Sequence, residues 1–209
     1  VKIALRGNGI IGRPGILSPD NPNYSEDIEQ YRQDIEKSKE LLSKINYTKD
    51  ITIIYAQNFD QCAQLIKEDL GKIGLKVTLK AMEQKTVDAL INNWKFDIAI
   101  SGHGGLGGDP DVLYRVILGS GFNSARYYSN KKLTELLIKQ RFTTDENQRK
   151  KLIREIQRIY ADEIPTLTLY YPDSYWCFND KIELYYVKGG LGSGVPIPLN
   201  KLAFVELKG

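Results

Sequence analysis

Glycines are the residues of this chain whose spacing most suggests direct contact with a ligand. Gly102, Gly104 and Gly107 form the pattern G-x-G-x-x-G directly after the apolar run 96–101. In a dinucleotide-binding fold, the third glycine of this pattern opens a helix whose free N–H groups hold the pyrophosphate. The loop continues here into Asp-Pro-Asp at 109–111, and an aspartate beside a phosphate would repel it. The pattern is therefore a poor match to a nucleotide site.

The same spacing recurs near the amino end, at Gly7, Gly9 and Gly12. Pro14 and Pro19 follow, and prolines at this distance prevent a helix from growing out of the third glycine. Neither loop ends in the G-K-[ST] of a phosphate-binding P-loop. A nucleotide-dependent enzyme that uses one of the two loops is kept as the alternative hypothesis.

Histidine and aspartate side chains offer little for catalysis or metal binding. His103 is the single histidine, and no serine lies in a G-x-S-x-G turn that could pair with it. His103 with Asp109 and Asp111 lacks a recognised spacing of metal ligands, and Asp-Pro-Asp is typical of a turn or a helix cap. We predict no catalytic residue, no metal and no cofactor.

Composition places the chain among globular proteins. Of its 209 residues 42% are hydrophobic, and the net charge is only +3, which argues against a nucleic-acid partner. Cys62 and Cys177 lie far apart and have no C-x-x-C partner, so packing is their predicted role. No apolar run reaches the roughly 18 residues of a spanning helix, and the first residues lack a signal-peptide pattern.

The elements that must position the glycine loop begin with a helix and a β-α-β unit. Ser25 as N-cap, with apolar residues at helical spacing behind it, predicts a helix that runs to about Ile45. The strand ITIIYA, 51–56, is followed by a helix that stops at Gly74 and by the alternating strand 75–81. Strand, helix and strand within about 30 residues predict neighbouring parallel strands joined by a right-handed crossover.

A third strand leads into the glycine loop. It follows a helix at about 86–94 and is short and almost wholly apolar over 96–101, as a strand buried on both faces is. The predicted fold class is α/β, with a mixed, largely parallel sheet flanked by helices. Open α/β sheets hold ligands at the carboxyl ends of their strands, and glycines there let backbone groups face a ligand. We expect the loop to line a binding cleft, the alternative being a simple tight turn.

The carboxyl half is predicted to be helical, with one more strand. After a short helix behind the glycine loop, a helix at 130–142 is expected to offer Leu133, Leu136, Leu137 and Phe142 for burial. Thr143 and Glu146 fit a capping box for the next helix. TLTLYY, 166–171, then reads as a strand.

Segments along nearly the whole chain, taken in order, resemble one protein family. They are LSPDNPNY, QLIKEDLGKIGLKVTLK, FDIAISGHGGLGGDPD, YYSNKKLTELLIKQ and DENQRKKLIREIQRIYADEIPTLTLYYP. Together they are similar to the C-terminal portion of the family 5 extracellular solute-binding proteins, the oligopeptide-, dipeptide- and nickel-binding receptors of ABC importers. The most telling matches are Lys72-Ile73-Gly74, Phe96-Asp97, Asp109-Pro110-Asp111, and Arg149 to Gln157 leading to Pro165.

The resemblance implies a periplasmic-binding-protein type II-like lobe without its partner lobe. Residues 1–22 would be a crossover segment from a missing N-terminal lobe, 23–177 the α/β ligand-binding lobe, and 178–209 a return crossover and C-terminal segment. The full-length protein would be extracytoplasmic and would touch the membrane only through an anchor absent from this chain. It would perform no chemistry and would deliver a small molecule or peptide to the permease of an ABC importer.

The resemblance also points to ligand contacts. In peptide-binding members, a tryptophan and, three residues later, an aspartate that binds the peptide's α-amino group precede the Asp-Pro; His103 and Leu106 occupy those positions here. Loss of that carboxylate removes a charge-assisted bond, so nickel, a nickel chelate, a differently held peptide and a sugar all stay open as ligands. The predicted ligand-binding residues are His103, Gly104, Gly105, Leu106, Asp109, Tyr175 and Trp176.

Several other side chains have structural interpretations beside the functional ones. Lys150, Arg154 and Arg158 share one helical face, and nearby acidic residues favour a solvated surface over a nucleic-acid stripe. The pair Tyr175-Trp176 either stacks on a ligand or packs in the core, and Trp94 is expected in the core. A partner-binding domain without a small ligand is the third functional hypothesis.

Overall fold

The computed structural model describes seven parts of the chain, which form two compact units. The described residues are 7–19, 21–28, 31–102, 110–119, 124–173, 182–184 and 205–207. Of these, 31–102 and Ser124 belong to the first unit. All the others belong to the second unit.

Helices and strands alternate in the first unit, and three helices dominate the second. The strands are β1 (Gly9–Ile11), β2 (Ile51–Ala56), β3 (Val77–Met82), β4 (Ile98–Ile100), β5 (Tyr170–Pro172), β6 (Ile182–Leu184) and β7 (Val205–Leu207). The helices are α1 (Ile35–Ile45), α2 (Asp60–Lys72), α3 (Gln84–Asn92), α4 (Asp111–Ile117), α5 (Lys131–Arg141) and α6 (Glu146–Glu163), with a 3-10 turn at Gln57–Phe59. Within the described ranges, no helix has both the length and the apolar character needed to cross a membrane.

A parallel three-stranded sheet organises the first unit, in the order β3-β2-β4. Ile51 pairs with Val77 and Ile53 pairs with Ile98, so both outer strands run parallel to the central one. The predicted β-α-β unit and its parallel strands are confirmed. At the start of the sheet the Asp97 carboxylate accepts a hydrogen bond of 2.9 Å from the Thr52 N–H.

Helices pack on both faces of this sheet. Successive side chains of β2 point to opposite faces, so the strand contributes buried residues to both sides. On the α2 side, Ile53 and Tyr55 are buried against Ala63. On the α3 side, Ile54 and Ala56 are buried against Val87. β4 sends Ile98 and Ile100 to the α2 side and Ala99 to the α3 side. The predicted α/β architecture with flanking helices is therefore confirmed.

Gly74 ends the crossover helix, as its position predicted. Its φ of +89° lies in the left-handed region, which glycine adopts without steric cost. The Leu75 N–H then reaches back to the Leu70 carbonyl at 3.2 Å, and Gly74 N–H reaches Gly71 O at 3.0 Å. These turn bonds hold Leu75 outside the ladder, so β3 begins at Val77 and not at residue 75.

The predicted long helix from Ser25 to about Ile45 is wrong in its first half. α1 begins at Ile35, where the Asp34 carboxylate accepts a hydrogen bond from the Lys37 N–H at 2.9 Å. Ser25 does not cap this helix, which begins ten residues later, and the Ser25 N–H donates to the buried Gln157 side chain. Its hydroxyl pairs with Asp27.

The core of the second unit lies where α4, α5 and α6 pack together. Its fully buried side chains include Leu113 from α4, Leu137 from α5 and Ile156 from α6. Tyr160 is only 2% exposed, its hydroxyl lies 2.5 Å from the Thr166 Oγ1, and burial raises the pKa of Tyr160 to about 12. The short helix predicted behind the glycine loop is confirmed as α4, and the two longer helices as α5 and α6.

Two antiparallel strand pairs belong to the second unit. β1 pairs with β5, with Ile10 opposite Tyr171, and β6 pairs with β7. The first segment of the chain therefore contains a strand. The predicted strand 166–171 is shifted, because its ladder starts at Tyr170 and ends at Pro172. The three-part division at residues 22 and 177 stays a prediction.

Two large side chains predicted to be buried are exposed. Phe142 is 79% exposed and Trp94 is 49% exposed. Both lie just past the last residue of a helix, where helical periodicity no longer decides which way a side chain points. The Trp94 ring instead contacts Phe96, with ring centroids 5.7 Å apart.

The start of α6 uses a different cap from the predicted one. The Asp145 carboxylate accepts a hydrogen bond of 2.7 Å from the Gln148 N–H. Thr143 donates its hydroxyl to the Lys139 carbonyl at the end of α5 instead, at 2.9 Å. The helix is therefore capped by the short acidic side chain immediately before it, and not by the threonine two residues earlier in the chain.

Asp145→Ala should therefore lower the free energy of unfolding by about 1 kcal/mol, since it removes the bond to a helix N–H that has no other partner. The matched variant Thr143→Ala should cost less than about 0.5 kcal/mol, because the hydroxyl it removes is exposed. Urea denaturation followed by circular dichroism measures both. A larger loss for Thr143→Ala than for Asp145→Ala would show that the capping box is used after all.

Candidate functional site

The carboxyl edge of the parallel sheet is the part of the first unit best suited to hold a ligand. β2, β3 and β4 all end at this edge, and the residues that follow them include Gln57, Glu83 and Ser101. These three residues are exposed. Ligands of open α/β sheets bind outside the carboxyl ends of the strands, where polar groups are free of the ladder. Exposed amide, carboxylate and hydroxyl groups here can bind a polar solute.

The end of β4 carries the described part of the glycine loop. Ile100 is 6% exposed, whereas Ser101 and Gly102 are exposed. A methyl group at Gly102 would meet only the Phe59 ring, at 3.8 Å, which is ordinary contact. Neighbouring atoms of the described chain therefore do not require glycine at this position.

Ionisable groups beneath this edge are held in their neutral or paired forms. The Tyr55 hydroxyl donates to the Asp60 carboxylate at 2.8 Å, and burial together with this bond raises the pKa of Tyr55. Cys62 is buried, and burial raises the pKa of its thiol. A neutral thiol packed under a sheet is a poor nucleophile, which agrees with the predicted packing role of Cys62. Cys177 lies outside the described residues.

The far end of the loop joins the second unit at the start of α4. Pro110 precedes the helix, and Asp111 is its first residue. The Asp111 carboxylate lies 2.7 Å from the Arg141 guanidinium, which also lies over the Tyr114 ring. The chain thus enters a helix whose first turn is held by the Arg141 side chain.

The predicted ligand-binding residues are not placed by the structure. They all lie outside the described ranges: His103, Gly104, Gly105, Leu106, Asp109, Tyr175 and Trp176. Their roles stay predictions. Gln57 and Glu83 were not predicted from the sequence as candidate ligand contacts. Each directly follows an apolar strand of a β-α-β unit, and this signal could have found them, because parallel strands end at a common edge.

The first G-x-G-x-x-G does not form a dinucleotide site. Gly9 lies in β1, and the Gly12 N–H donates to the Leu169 carbonyl at 2.9 Å. Between Gly12 and the next described helix, α1, no helix starts. The Gly12 N–H, which a dinucleotide site would use at its third glycine, serves strand pairing and is not available to a pyrophosphate. The second copy of the pattern extends beyond the described residues.

The segment LSPDNPNY forms a turn-rich stretch beside α6. The buried Gln157 side chain accepts from the Ser25 N–H and donates to the Asn23 carbonyl, at 3.2 and 2.8 Å. Asp27 next to it pairs with Ser25 and with Arg158, and these partners, the Ser25 hydrogen bond first, hold the pKa of Asp27 below its usual value. The stretch is thus held by α6 and, through the Tyr171 hydroxyl bound to the Leu17 carbonyl, by β5.

The basic face of α6 is solvent-exposed, as predicted. Arg158 forms the ion pair with Asp27, whereas Lys150 and Arg154 are exposed beside a shallow cavity of about 80 Å³. The other residues that line this cavity are Pro22, Asn23, Tyr24, Ser25 and Ile153. In the part of the chain that the structure describes, no three histidine, cysteine, aspartate or glutamate side chains come together in a way that could hold a metal.

Comparison with known proteins adds the family. Residues 1–125 match the model of the bacterial extracellular solute-binding proteins, family 5 middle region. Di/tripeptide-binding protein 2 of Pseudomonas aeruginosa is 31% identical over 71% of this chain and 30% of its own length. The dipeptide-binding protein of Escherichia coli is 23% identical over 90% of this chain and 37% of its own length.

Among solved structures, the periplasmic binding protein DppA from Helicobacter pylori, in complex with the peptide STSA, has the same fold. It superposes with a TM-score of 0.81 at 24% identity, covering 100% of this chain and 41% of that one. The chain thus spans roughly a third of the length of the curated relatives it matches. By its sequence and its fold, this chain belongs to the family 5 bacterial extracellular solute-binding proteins.

Proposed function

We propose that this chain forms one ligand-binding lobe of the substrate-binding component of an ABC importer, which captures a peptide outside the cytoplasm and presents it to a membrane permease. The observation that carries the proposal is the exposed carboxyl edge of the parallel sheet, which continues from Gly102 into the glycine loop. Relatives named for di- and tripeptides support a peptide as the ligand. The protein performs no chemistry and needs no cofactor in this proposal.

Recognition would rest on backbone groups and a few polar side chains at this edge. Glycines 104 and 105 would let N–H and C=O groups face a peptide backbone, and His103 and Leu106 would be further contacts of the same loop. Gln57 and Ser101 add side-chain donors and acceptors from the described part of the edge. Tyr175 and Trp176 would stack on the ligand.

Binding would work by closure of this lobe on another one. A ligand that bridges two lobes shifts an equilibrium between open and closed forms, so its affinity depends on contacts made only when both lobes are present. Because the chain spans a third of its relatives' length, the 209 residues by themselves should bind peptide weakly or not at all. A nickel chelate or an oligosaccharide would use the same cleft with other contacts.

Calorimetric titration tests this proposal in two samples, the complete polypeptide encoded by the gene and the 209-residue chain. The titrants are a set of di- and tripeptides, nickel, an oligosaccharide and ATP. The complete polypeptide is expected to bind a peptide with a dissociation constant of about 1 μM, a binding free energy of about −8 kcal/mol. In the complete polypeptide, Trp176→Ala and His103→Ala should weaken that binding about tenfold or more.

Trp94→Ala is the matched control for these variants, since it removes an exposed tryptophan from outside the proposed site. It should leave the dissociation constant unchanged. Micromolar binding by the 209-residue chain would contradict the need for a second lobe. Binding of nickel or of the oligosaccharide without binding of any peptide would show that the ligand is not a peptide. ATP binding would favour the nucleotide-dependent alternative.

A further inference from the structure

The cavity beside α6 is lined by two cationic side chains from one face of that helix. Lys150 and Arg154 are separated by one helical turn, so their Cβ atoms lie about 5 to 6 Å apart. Like charges at this spacing repel each other, and an anion bound between them would relieve the repulsion. No carboxylate is among the residues that line the cavity. Its lining therefore carries an excess of positive charge.

The carboxylates of this surface are bound to other cations. Asp27 pairs with Arg158, and Glu155 of α6 pairs with Lys132 of α5 at 2.5 Å. Within the described ranges, by contrast, neither cation of the cavity forms an ion pair, and both are exposed to solvent. The positive charge of the cavity is thus left to attract an anion from outside the chain.

The turn that forms the other wall of the cavity is held in place by hydrogen bonds. The buried Gln157 side chain accepts from the Ser25 N–H at 3.2 Å and donates to the Asn23 carbonyl at 2.8 Å. Asn21 accepts from the Asn23 N–H through its side chain and from the Tyr24 N–H through its carbonyl, both at 2.9 Å. The cavity is therefore preformed, and a ligand would not have to order this turn in order to bind.

Tyr24 gives the cavity a third polar group. It lines the cavity, and its hydroxyl oxygen is shielded from solvent without a hydrogen-bond partner in the described part of the chain. Buried hydroxyl groups are normally hydrogen-bonded, so an isolated one calls for a partner such as a water or an ion. The Arg13 guanidinium lies over the same ring, with Cζ 5.9 Å from the ring centre. These cationic surroundings favour a negatively charged acceptor.

We propose that this cavity binds a small tetrahedral oxyanion, phosphate or sulfate, with Lys150, Arg154 and the Tyr24 hydroxyl as donors. A guanidinium binds two oxygens of such an anion at once, and an ammonium acts as a point charge beside it. The cavity volume of about 80 Å³ is well below the roughly 300 to 1,000 Å³ of sites for larger ligands, so it has no room for a nucleotide or a peptide. The site lies within the second unit and does not depend on the proposed function.

Phosphorus NMR of inorganic phosphate, titrated at constant ionic strength against the complete polypeptide, tests the proposal. The line broadening is expected to saturate with a dissociation constant of about 1 mM, a weak affinity that suits an exposed site. The double variant Lys150→Gln/Arg154→Gln should weaken binding by about tenfold or more, since it removes both charge-assisted bonds. Tyr24→Phe should weaken it by about threefold through loss of one neutral donor.

Lys131→Gln/Lys151→Gln is the matched control, because it removes two exposed lysines of the same unit that do not line the cavity. It should leave the dissociation constant unchanged. Equal weakening by the two double variants would overturn the site, since binding would then follow the net surface charge. Absence of saturable broadening up to about 10 mM phosphate would overturn it as well. Unchanged affinity in Tyr24→Phe would remove the hydroxyl from the site.

Competition decides the chemical class of the ligand. Sulfate should displace phosphate at a similar concentration, because the two anions share charge and tetrahedral shape. Chloride at the same ionic strength should not displace it. Displacement by chloride as readily as by sulfate would overturn the assignment to oxyanions and would indicate general screening of the two cations.

Discussion

Gly12→Ala is expected to destabilise the second unit by about 3 kcal/mol, because overpacking against immobile atoms is costly. A methyl group built at Gly12 would lie 2.0 Å from the Thr168 carbonyl oxygen and 2.5 Å from the Leu169 carbonyl carbon. Both are backbone atoms, so no side-chain rotation can relieve the clash. The chain would have to separate there, which breaks the bond from Gly12 N–H to Leu169 O and disturbs the adjoining pair β1–β5.

Gly71→Ala is the matched control for this substitution. Gly71 lies in α2, and a methyl group there would meet no atom within 4 Å. Alanine at an open helical position should stabilise the protein by about 0.5 to 1 kcal/mol. Urea denaturation monitored by circular dichroism should therefore show midpoints that move in opposite directions. An unchanged unfolding midpoint for Gly12→Ala would mean that the backbone at Gly12 does not approach the backbone at Thr168 and Leu169 this closely.

Gln157→Leu is expected to cost about 3 kcal/mol, since each buried polar group left without a partner costs about 1 to 3 kcal/mol. Leucine has a similar volume, so the loss would come from hydrogen bonding and not from a cavity. The Ser25 N–H and the Asn23 carbonyl would both lose their partner, and Gln157 is only 2% exposed. The turn-rich segment LSPDNPNY would then keep its apolar contact with α6 through Leu17 but lose its buried hydrogen bond to that helix.

Gln148→Leu provides the control for this loss, because Gln148 is exposed near the start of the same helix. It should change the free energy of unfolding by less than about 0.5 kcal/mol. Thermal and urea denaturation of the two variants give the comparison. Equal stabilities for Gln157→Leu and Gln148→Leu would mean that water replaces the buried amide without penalty.

The proposed ligand site is the part of this protein that local sequence patterns predict least completely. The glycine loop was located after β4 because a short apolar strand followed by glycines is a local signal. Gln57 and Glu83 carry no such signal, since an isolated polar residue after a strand is common. Only the parallel order β3-β2-β4 brings the residues behind these strands to one edge.

Local sequence patterns predicted the central sheet and most helices, and the resemblance of ordered segments indicated the family. The apolar run of β2, the left-handed glycine at Gly74 and the helical periodicity of α5 each act within a few residues, so they can be read without knowing the fold. The wrong predictions concern helix starts at which more than one residue could cap the helix. Ser25 and Thr143 both have side chains suited to capping a helix, but neither caps one, because Ser25 is bound elsewhere and Asp145 lies nearer to the start of α6.

Tertiary structure alone decided the contacts between residues that are distant in sequence. Gln157 meets Ser25 across 132 positions, and Ile10 faces Tyr171 in a strand pair that neither short segment predicts by itself. The ion pair of Arg141 with Asp111 likewise depends on how α4 and α5 pack. A single sequence reports the preferences of each segment for helix or strand, but the partner of a buried polar group is chosen by which segments share a core, and that choice belongs to the whole fold.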